Sequence, residues 1–426
     1  MKKLTLLFSI ISLMFSAIVQ AQPKPTYTLL KPDRVFDGEQ MHAGWWVLIK
    51  GDHIEAAGEP SSIKAPADAR IIELKGKTVM PGMIEGHSHL FLHPYNEVSW
   101  DDQVLNESRA ERTARAVVHA HETLMAGFTT VRDLGTEGAG YDDVGLKTAI
   151  EKGVIPGPRM LVATRAIVAT GSYGPKSSVD GAINIKGGEE ADGIDGITHV
   201  VRSQIGHGAD VVKIYADYRW GLNDDAEPTF TLDELKTAVD VAHSSGRIVV
   251  VHSGTTEGMR RSILAGVNTI EHGDGGTPEL FKMMKEKGIA LCPTLAATEA
   301  IAGYKGWKKG IDPETAAVKR KHNMFTEALK SGIIICMGGD VGVFPHGDNA
   351  REMLLMVEYG MKSIDVLRSA TSVNASVFQL KKLGNIKEGY LADVIAVDDD
   401  PSQDISAVKK VRLVIKNGVI YKEILK

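Results

Sequence analysis

Short β-branched runs recur along the chain with amphipathic stretches between them. The runs are Phe128-Thr-Thr-Val-Arg132, Met160-Leu-Val-Ala163, Val211-Val-Lys-Ile214, Ile248-Val-Val-Val251, Thr269-Ile270, Ile289-Ala-Leu-Cys292 and Ile333-Ile-Ile-Cys336. Period-2 apolar runs bounded by helical periodicity read as strands and helices in alternation. Helical patterns fill the gaps over residues 112–125, 232–244, 257–265 and 313–330. With the run 79–90 this makes about eight βα units in roughly 300 residues, the pattern of an α/β fold closed into a (β/α)8 TIM barrel. A doubly wound open sheet is the competing arrangement. The ends differ: residues 27–74 alternate polar and apolar between Asp37-Gly38, Lys50-Gly51-Asp52 and Lys75-Gly76, and residues 393–421 repeat the style around Lys416-Asn417-Gly418. Such turn dipeptides mark hairpins. The expectation is a barrel over 83–384 and a small composite β-sandwich assembled from 22–82 and 385–426.

Residues 1–21 read as a signal peptide. Lys2 and Lys3 precede an uncharged apolar run from Leu4 to Val19, and Val19-Gln20-Ala21 supplies small residues for cleavage after Ala21. The run is short for a membrane span of ~20 residues, so a retained anchor is the weaker reading. An exported protein, periplasmic or secreted, is expected, with no membrane association after cleavage. Lys plus Arg number 49 against 54 acids, a net charge of −5 that becomes −7 once Lys2 and Lys3 are removed. Without a basic excess, nucleic acid is not an expected partner. Cys292 and Cys336, the two cysteines, sit in apolar runs and read as small core residues rather than a thiolate cluster or a disulfide.

Residues able to carry chemistry gather at the ends of the strand runs. Gly86-His87-Ser88-His89 places two imidazoles at i and i+2, which share one side of a strand and can aim at one ion. His252 follows 248–251 and His272 follows Thr269-Ile270, the strand ends where barrel enzymes place their working groups. Lys213 interrupts Ala209-Asp-Val-Val-Lys-Ile-Tyr215, where a buried ammonium is costly unless paired, snorkelling or chemically altered. Asp340 follows Met337-Gly-Gly339 and stands either at the barrel mouth or as a turn cap. Gly135-Thr-Glu-Gly-Ala-Gly140 lacks the phosphate-loop ending and reads as a structural loop. His42, His53, His119, His121, His199, His207, His243 and His322 read as scaffold, while Arg132-Asp133 offers either support for metal ligands or a simple ion pair.

Taken in order, Gly86-His-Ser-His89, Lys213, His252, His272 and Asp340 resemble the metal-dependent amidohydrolase superfamily in its binuclear form. Pro81-Gly-Met-Ile-Glu-Gly-His-Ser-His89, Ala126-Gly-Phe-Thr-Thr-Val-Arg-Asp133, Ile270-Glu-His-Gly273 and Gly389-Tyr-Leu-Ala-Asp393 are similar to its imidazolonepropionase-related branch. His93-Pro-Tyr-Asn-Glu97, Ser99-Trp-Asp-Asp102, Ala169-Thr-Gly-Ser-Tyr-Gly-Pro175, Lys213-Ile-Tyr-Ala-Asp-Tyr-Arg219 and Pro345-His-Gly-Asp-Asn-Ala-Arg351 are similar to its exported Xaa-Pro dipeptidases and carboxypeptidases. The resemblance implies two divalent ions, expected as Zn2+. His87, His89 and Asp340 would hold the more buried ion, His252 and His272 the second, and Lys213, N-carboxylated, would bridge both. A hydroxide bridging the ions would be the nucleophile, and Asp340 would take its proton and pass it to the leaving amine.

The resemblance implies cleavage of the amide before a C-terminal amino acid in a dipeptide or N-acyl amino acid. Tyr173, Tyr218, Arg219 and His346 are the candidates for binding that substrate, with Arg219 pairing to Asp217 or Asp224 and His346 capping a turn as alternatives. Gly171-Ser-Tyr-Gly174 stands where some prolidase-like members carry Gly-Gly-His-Gly. Tyr173 thus replaces a substrate-binding histidine and leaves basic and hydrophobic C-terminal residues open beside proline. Two alternatives stand: the same chemistry on a lactone, a cyclic amide or an N-acylated aromatic amino acid, or a non-enzymatic binding protein of the same fold. A homo-oligomer is expected because paired barrels are common.

Overall fold

The computed structural model describes residues 26–175 and 186–424; the export segment expected at 1–21 lies outside them. The two ends of the chain meet. Tyr27–Phe36, Met41–Ala43, Trp46–Lys50 and His53–Gly58 join Val394–Asp398, Val411–Lys416 and Val419–Glu423 in a mixed sheet of eight strands with Arg70–Pro81 at the seam. Arg70–Pro81 pairs parallel with Tyr27–Phe36 on one edge and antiparallel with Val394–Asp398 on the other. One hydrogen-bonded path therefore runs through both ends of the chain, as a composite β domain requires. Leu30, Val47, Ile49 and Leu74 pack with Val394, Ala396, Leu413 and Ile415 in a shared core. The expected hairpin forms at Asn417-Gly418, with φ of 49° and 71°, the paired positive values that a tight antiparallel turn demands.

The apolar run 79–90 divides at Gly82. Its first residues finish Arg70–Pro81, and Met83–Ser88 begins a separate, parallel set. A side chain at Gly82 would run into Thr129, so glycine lets the chain pass between the two sheets.

Met83–Ser88, Phe128–Asp133 and Arg159–Val162 pair in parallel, in that order. Ile167–Val168, Val211–Tyr215, Ile248–Ser253, Thr269–His272 and Ala290–Cys292 form a second parallel series. The run 333–336, expected as a strand, makes an isolated parallel bridge from Ile335 to Leu291, and Val341 makes another to Ser88. Regular pairing stops there because Gly338-Gly339 and Asp340, with φ of 64°, turn the backbone out of the extended region. The segment still leads from the last parallel strand back to the first. Helices Arg109–Met125, Asp142–Glu151, Gly193–Gly206, Leu232–Ser244, Thr256–Ala265, Pro278–Lys287 and Ala316–Ser331 separate the strands. The last begins at Ala316 rather than 313 because Thr315 caps it, accepting from the Val318 amide. This is an α/β arrangement of TIM-barrel type with an additional β domain, and its strands are buried on both faces, as parallel strands covered by helices must be.

Candidate metal centre and substrate cavity

His87, His89, His252, His272 and Asp340 line one cavity of about 760 Å³ at the C-terminal ends of the parallel strands. The His87 and His89 rings lie 5.3 Å apart, His87 and His272 5.2 Å, and His252 and His272 4.4 Å. Oδ1 of Asp340 is 3.5 Å from Nε2 of His87 and 3.3 Å from Nε2 of His89. Ligand atoms of His87, His272 and Asp340 all fall within 4.8 Å of one another, a spacing that can hold a metal ion. Lys213 is fully buried on Val211–Tyr215, opposite Val250, and its Nζ has no hydrogen-bond partner among the described residues.

Close approach and strain shape this end of the strands. A side chain at Gly86 would meet the Met337 carbonyl, and one at Gly338 would overlap Cys292 and the His87 backbone, so both glycines are dictated by proximity. His272, Thr294 and Asp340 take φ of 71°, 52° and 64°, a left-handed conformation that costs L-residues energy and persists only where neighbours impose it. At Asp340 the gain is direct: the Asp340 and Val341 amides both donate to the His87 carbonyl, at 2.9 and 3.1 Å.

Three of the four histidines are aimed by a hydrogen bond at the nitrogen turned away from Asp340. Nδ1 of His87 meets Glu271 at 2.8 Å, Nδ1 of His89 donates to the Gly135 carbonyl at 3.0 Å, and Nδ1 of His272 meets the Thr294 hydroxyl at 2.7 Å. The His252 ring is held by stacking on Tyr215 at 4.6 Å. Arg132 donates to Glu271 and to the Gly86 carbonyl, so it supports a candidate ligand instead of forming an isolated ion pair.

Burial, followed by the Lys213 ammonium, brings His87 down to about 4. The same two causes hold His252 well below the usual imidazole range, and burial followed by neighbouring His252 does so for His272. All three imidazoles are thus neutral, the form that binds metals. Burial opposes ionisation of Asp340, but His87, His89 and Lys213 pull it down to about 2, while the bond to Asp340 outweighs burial and lifts His89 to about 9. Burial pushes Lys213 down. Three neutral imidazoles, an ionised carboxylate paired with His89 and a partnerless buried lysine are a donor set that fits divalent cations.

Tyr173, Tyr218 and Arg219 line the cavity as expected. His346 does not. It stacks on His119 at 4.3 Å and its Nε2 lies 3.0 Å from the Leu92 carbonyl, so burial between helix and strand end removes it from the substrate side. Asp217 turns inward to the Ser253 and Thr255 hydroxyls and the Gly254 and Thr255 amides, rather than out toward Arg219. Sequence reasoning missed Glu137, Trp100, Tyr95 and Lys321, which also line the cavity. Glu137 had a visible signal, a lone carboxylate in a glycine-rich loop just past a strand end. Lys321 comes from the middle of a distant helix and had none.

Such a site on such a fold defines a metal-dependent amide hydrolase. The chain belongs to the amidohydrolase family, which it matches over residues 78–421. It is 30% identical over 380 residues to ochratoxinase of Aspergillus niger, covering 81% of this chain and 75% of that protein. Among solved structures it is similar to a Xaa-Pro dipeptidase with methionine bound in the active site, at 31% identity and a TM-score of 0.83, covering 93% of this chain and all of the other. A prolidase complexed with N-methylphosphonate-L-proline superimposes with a TM-score of 0.80 at 27% identity, covering 93% of this chain and 100% of that one.

Proposed function

We propose that the protein hydrolyses the amide bond before a C-terminal amino acid in dipeptides or N-acyl amino acids, using two divalent ions, Zn2+ by preference. The observation that carries this reading is the convergence of four imidazoles and Asp340 on one cavity beside a Lys213 Nζ that nothing else satisfies. His87, His89 and Asp340 would hold one ion and His252 and His272 the other. Lys213, as its N-carboxylate, would bridge them, converting a costly buried ammonium into an anionic ligand. When bound, the ions supply Lewis-acid polarisation of the scissile carbonyl and a water acidic enough to attack at neutral pH. Asp340 accepts the attacking water's proton and delivers it to the leaving amine; its position 3.3 to 3.5 Å from two candidate ligands suits both tasks. Arg219, with Tyr218, would receive the substrate's free carboxylate; both line the cavity. The similarity to a Xaa-Pro dipeptidase and to a prolidase supports this substrate class.

A second reading, which kinship with ochratoxinase keeps open, is the same chemistry on a lactone, a cyclic amide or an N-acylated aromatic amino acid. Residues 83–384 would be a complete (β/α)8 barrel, residues 1–21 an export signal, the mature protein periplasmic and assembled as a homo-oligomer. Amine release by the zinc-loaded protein from a panel of dipeptides and N-acyl amino acids tests the activity. Turnover that vanishes in Asp340→Asn upholds it; no turnover across the panel with two metals bound sinks it.

A further inference from the structure

Glu137 is 1% exposed, takes φ of 49°, and has its own carbonyl held by the buried Arg112 guanidinium at 2.7 Å. Its carboxylate is the point on which the cavity wall is hung. Oε2 accepts from the Tyr173 hydroxyl at 2.6 Å and from the Trp100 indole at 3.1 Å. Oε1 is turned away, buried near Gly135 and 4.0 Å from Nδ1 of His89. The two rings held this way stand edge to face 5.1 Å apart, and Tyr173 continues the contact to Tyr218 at 4.8 Å. Because both donors are spent on Glu137, the Trp100 and Tyr173 part of the wall presents ring carbon to the cavity instead of hydrogen bonds. Leu92, Ile301 and Val343 also line the cavity.

An aromatic wall near a carboxylate is also the recipe for binding a cation. At Glu137 and Asp274 that option is closed off. One oxygen of Glu137 already holds two donors and the other faces away. Asp274 is engaged by Lys321 at 3.0 Å. A basic side chain inserted beside Tyr173 would lose water without gaining the Glu137 carboxylate, because the further acids of the lining, Asp101 and Asp224, are solvent-exposed, whereas an apolar one loses nothing.

We propose that the Trp100–Tyr173–Tyr218 wall seats an aromatic or large aliphatic side chain of the amino acid released by the enzyme, and that Glu137 is the positioning residue that fixes the wall. The proposal rests on the amide-hydrolase reading for the origin of that amino acid, but the wall is testable without turnover. Calorimetric titration of the zinc-loaded full-length mature protein with L-phenylalanine, L-leucine, L-serine, L-aspartate and L-arginine is the experiment. Phenylalanine and leucine bind at least tenfold more tightly than the other three. In Glu137→Gln the ratio of phenylalanine to serine affinity falls toward one, because a neutral amide oxygen holds the Tyr173 and Trp100 donors more weakly than the carboxylate oxygen they share. Tyr173→Phe, which removes only the hydroxyl and preserves the ring, reduces the same ratio and serves should Glu137→Gln fail to fold. A loss of stability alone would weaken all five ligands together and leave the ratio intact. Arginine or aspartate binding as tightly as phenylalanine, or an unchanged ratio in both variants, overturns the proposal. Selective binding without hydrolysis of any amide keeps the wall and refutes the peptidase reading; hydrolysis indifferent to the side chain does the reverse.

Discussion

Arg132 donates to Glu271 at 2.8 Å with both side chains entirely buried, and the opposite oxygen of Glu271 holds Nδ1 of His87 at the same distance. The guanidinium and His87 draw the Glu271 carboxyl far below its usual range despite a burial that opposes ionisation. A permanent carboxylate therefore fixes the tautomer of His87 and leaves Nε2 toward Asp340. Glu271→Gln keeps the shape and removes the charge. It should weaken metal binding about 10–100-fold, the usual cost of losing such an outer partner, as read by competition with a chromogenic chelator. Unaltered affinity would show that His87 needs no such partner.

Lys321 plays the matching part for His272. Its ammonium donates to the His272 carbonyl at 3.2 Å, the Pro293 carbonyl at 3.1 Å and Asp274 at 3.0 Å, and so clamps the strand end where His272 and Thr294 take left-handed backbone. Lys321→Met should lower the melting temperature and cut kcat at least tenfold, with a smaller change in KM. A variant with wild-type kcat would refute the clamp.

Lys213 supplies a spectroscopic prediction. Protein stripped of metal by chelation at low pH under nitrogen should regain activity with Zn2+ plus bicarbonate faster than with Zn2+ alone. Reconstitution with 13C-bicarbonate should give a carbamate carbon resonance that is absent from Lys213→Ala. Equal recovery with and without bicarbonate, and no resonance, would remove the bridging role.

Glu352 should make stability depend on pH. It is fully buried, and burial lifts its carboxyl from 4.5 to about 8, although the Ala296 and Leu295 amides donate to it and oppose the rise. Between those two values the folded chain keeps a proton that the unfolded chain releases. Stability from this group is complete below 4.5 and is lost as pH rises through 8, at a slope of at most about 1.4 kcal/mol per pH unit. Glu352→Gln should flatten the fall in melting temperature between pH 5 and pH 8.5; parallel curves for the two proteins would assign the effect elsewhere.

The parallel architecture and the residues that meet in the cavity were legible because each is written locally. Strand periodicity marks where a strand ends, and His87, His89, His252 and His272 stand at those ends. Lys213 announced itself by interrupting an apolar run. The rest depends on which distant residues fold back. His346 lies three residues past the cavity residue Val343, yet its neighbour is His119, 227 positions away in sequence, and nothing near either predicts the stack. Glu137 was masked by the glycines around it, which suggested a plain loop. The sheet formed by the ends was foreseen in membership but not in strand order, because the pairing of Arg70–Pro81 along both its edges is a property of tertiary contact.

That seam has a consequence for how the protein is made. Arg70–Pro81 emerges early in synthesis but meets Val394–Asp398 only when nearly the whole chain exists. Until then one edge of the strand carries unpaired backbone groups, the kind of edge that recruits other chains. Closing a loop of some three hundred residues is slow, and contacts of such long sequence separation are late events. The composite sheet therefore acts as the chain's completion mark. A nascent or C-terminally clipped chain cannot close it, and should be the form most exposed to aggregation and proteolysis.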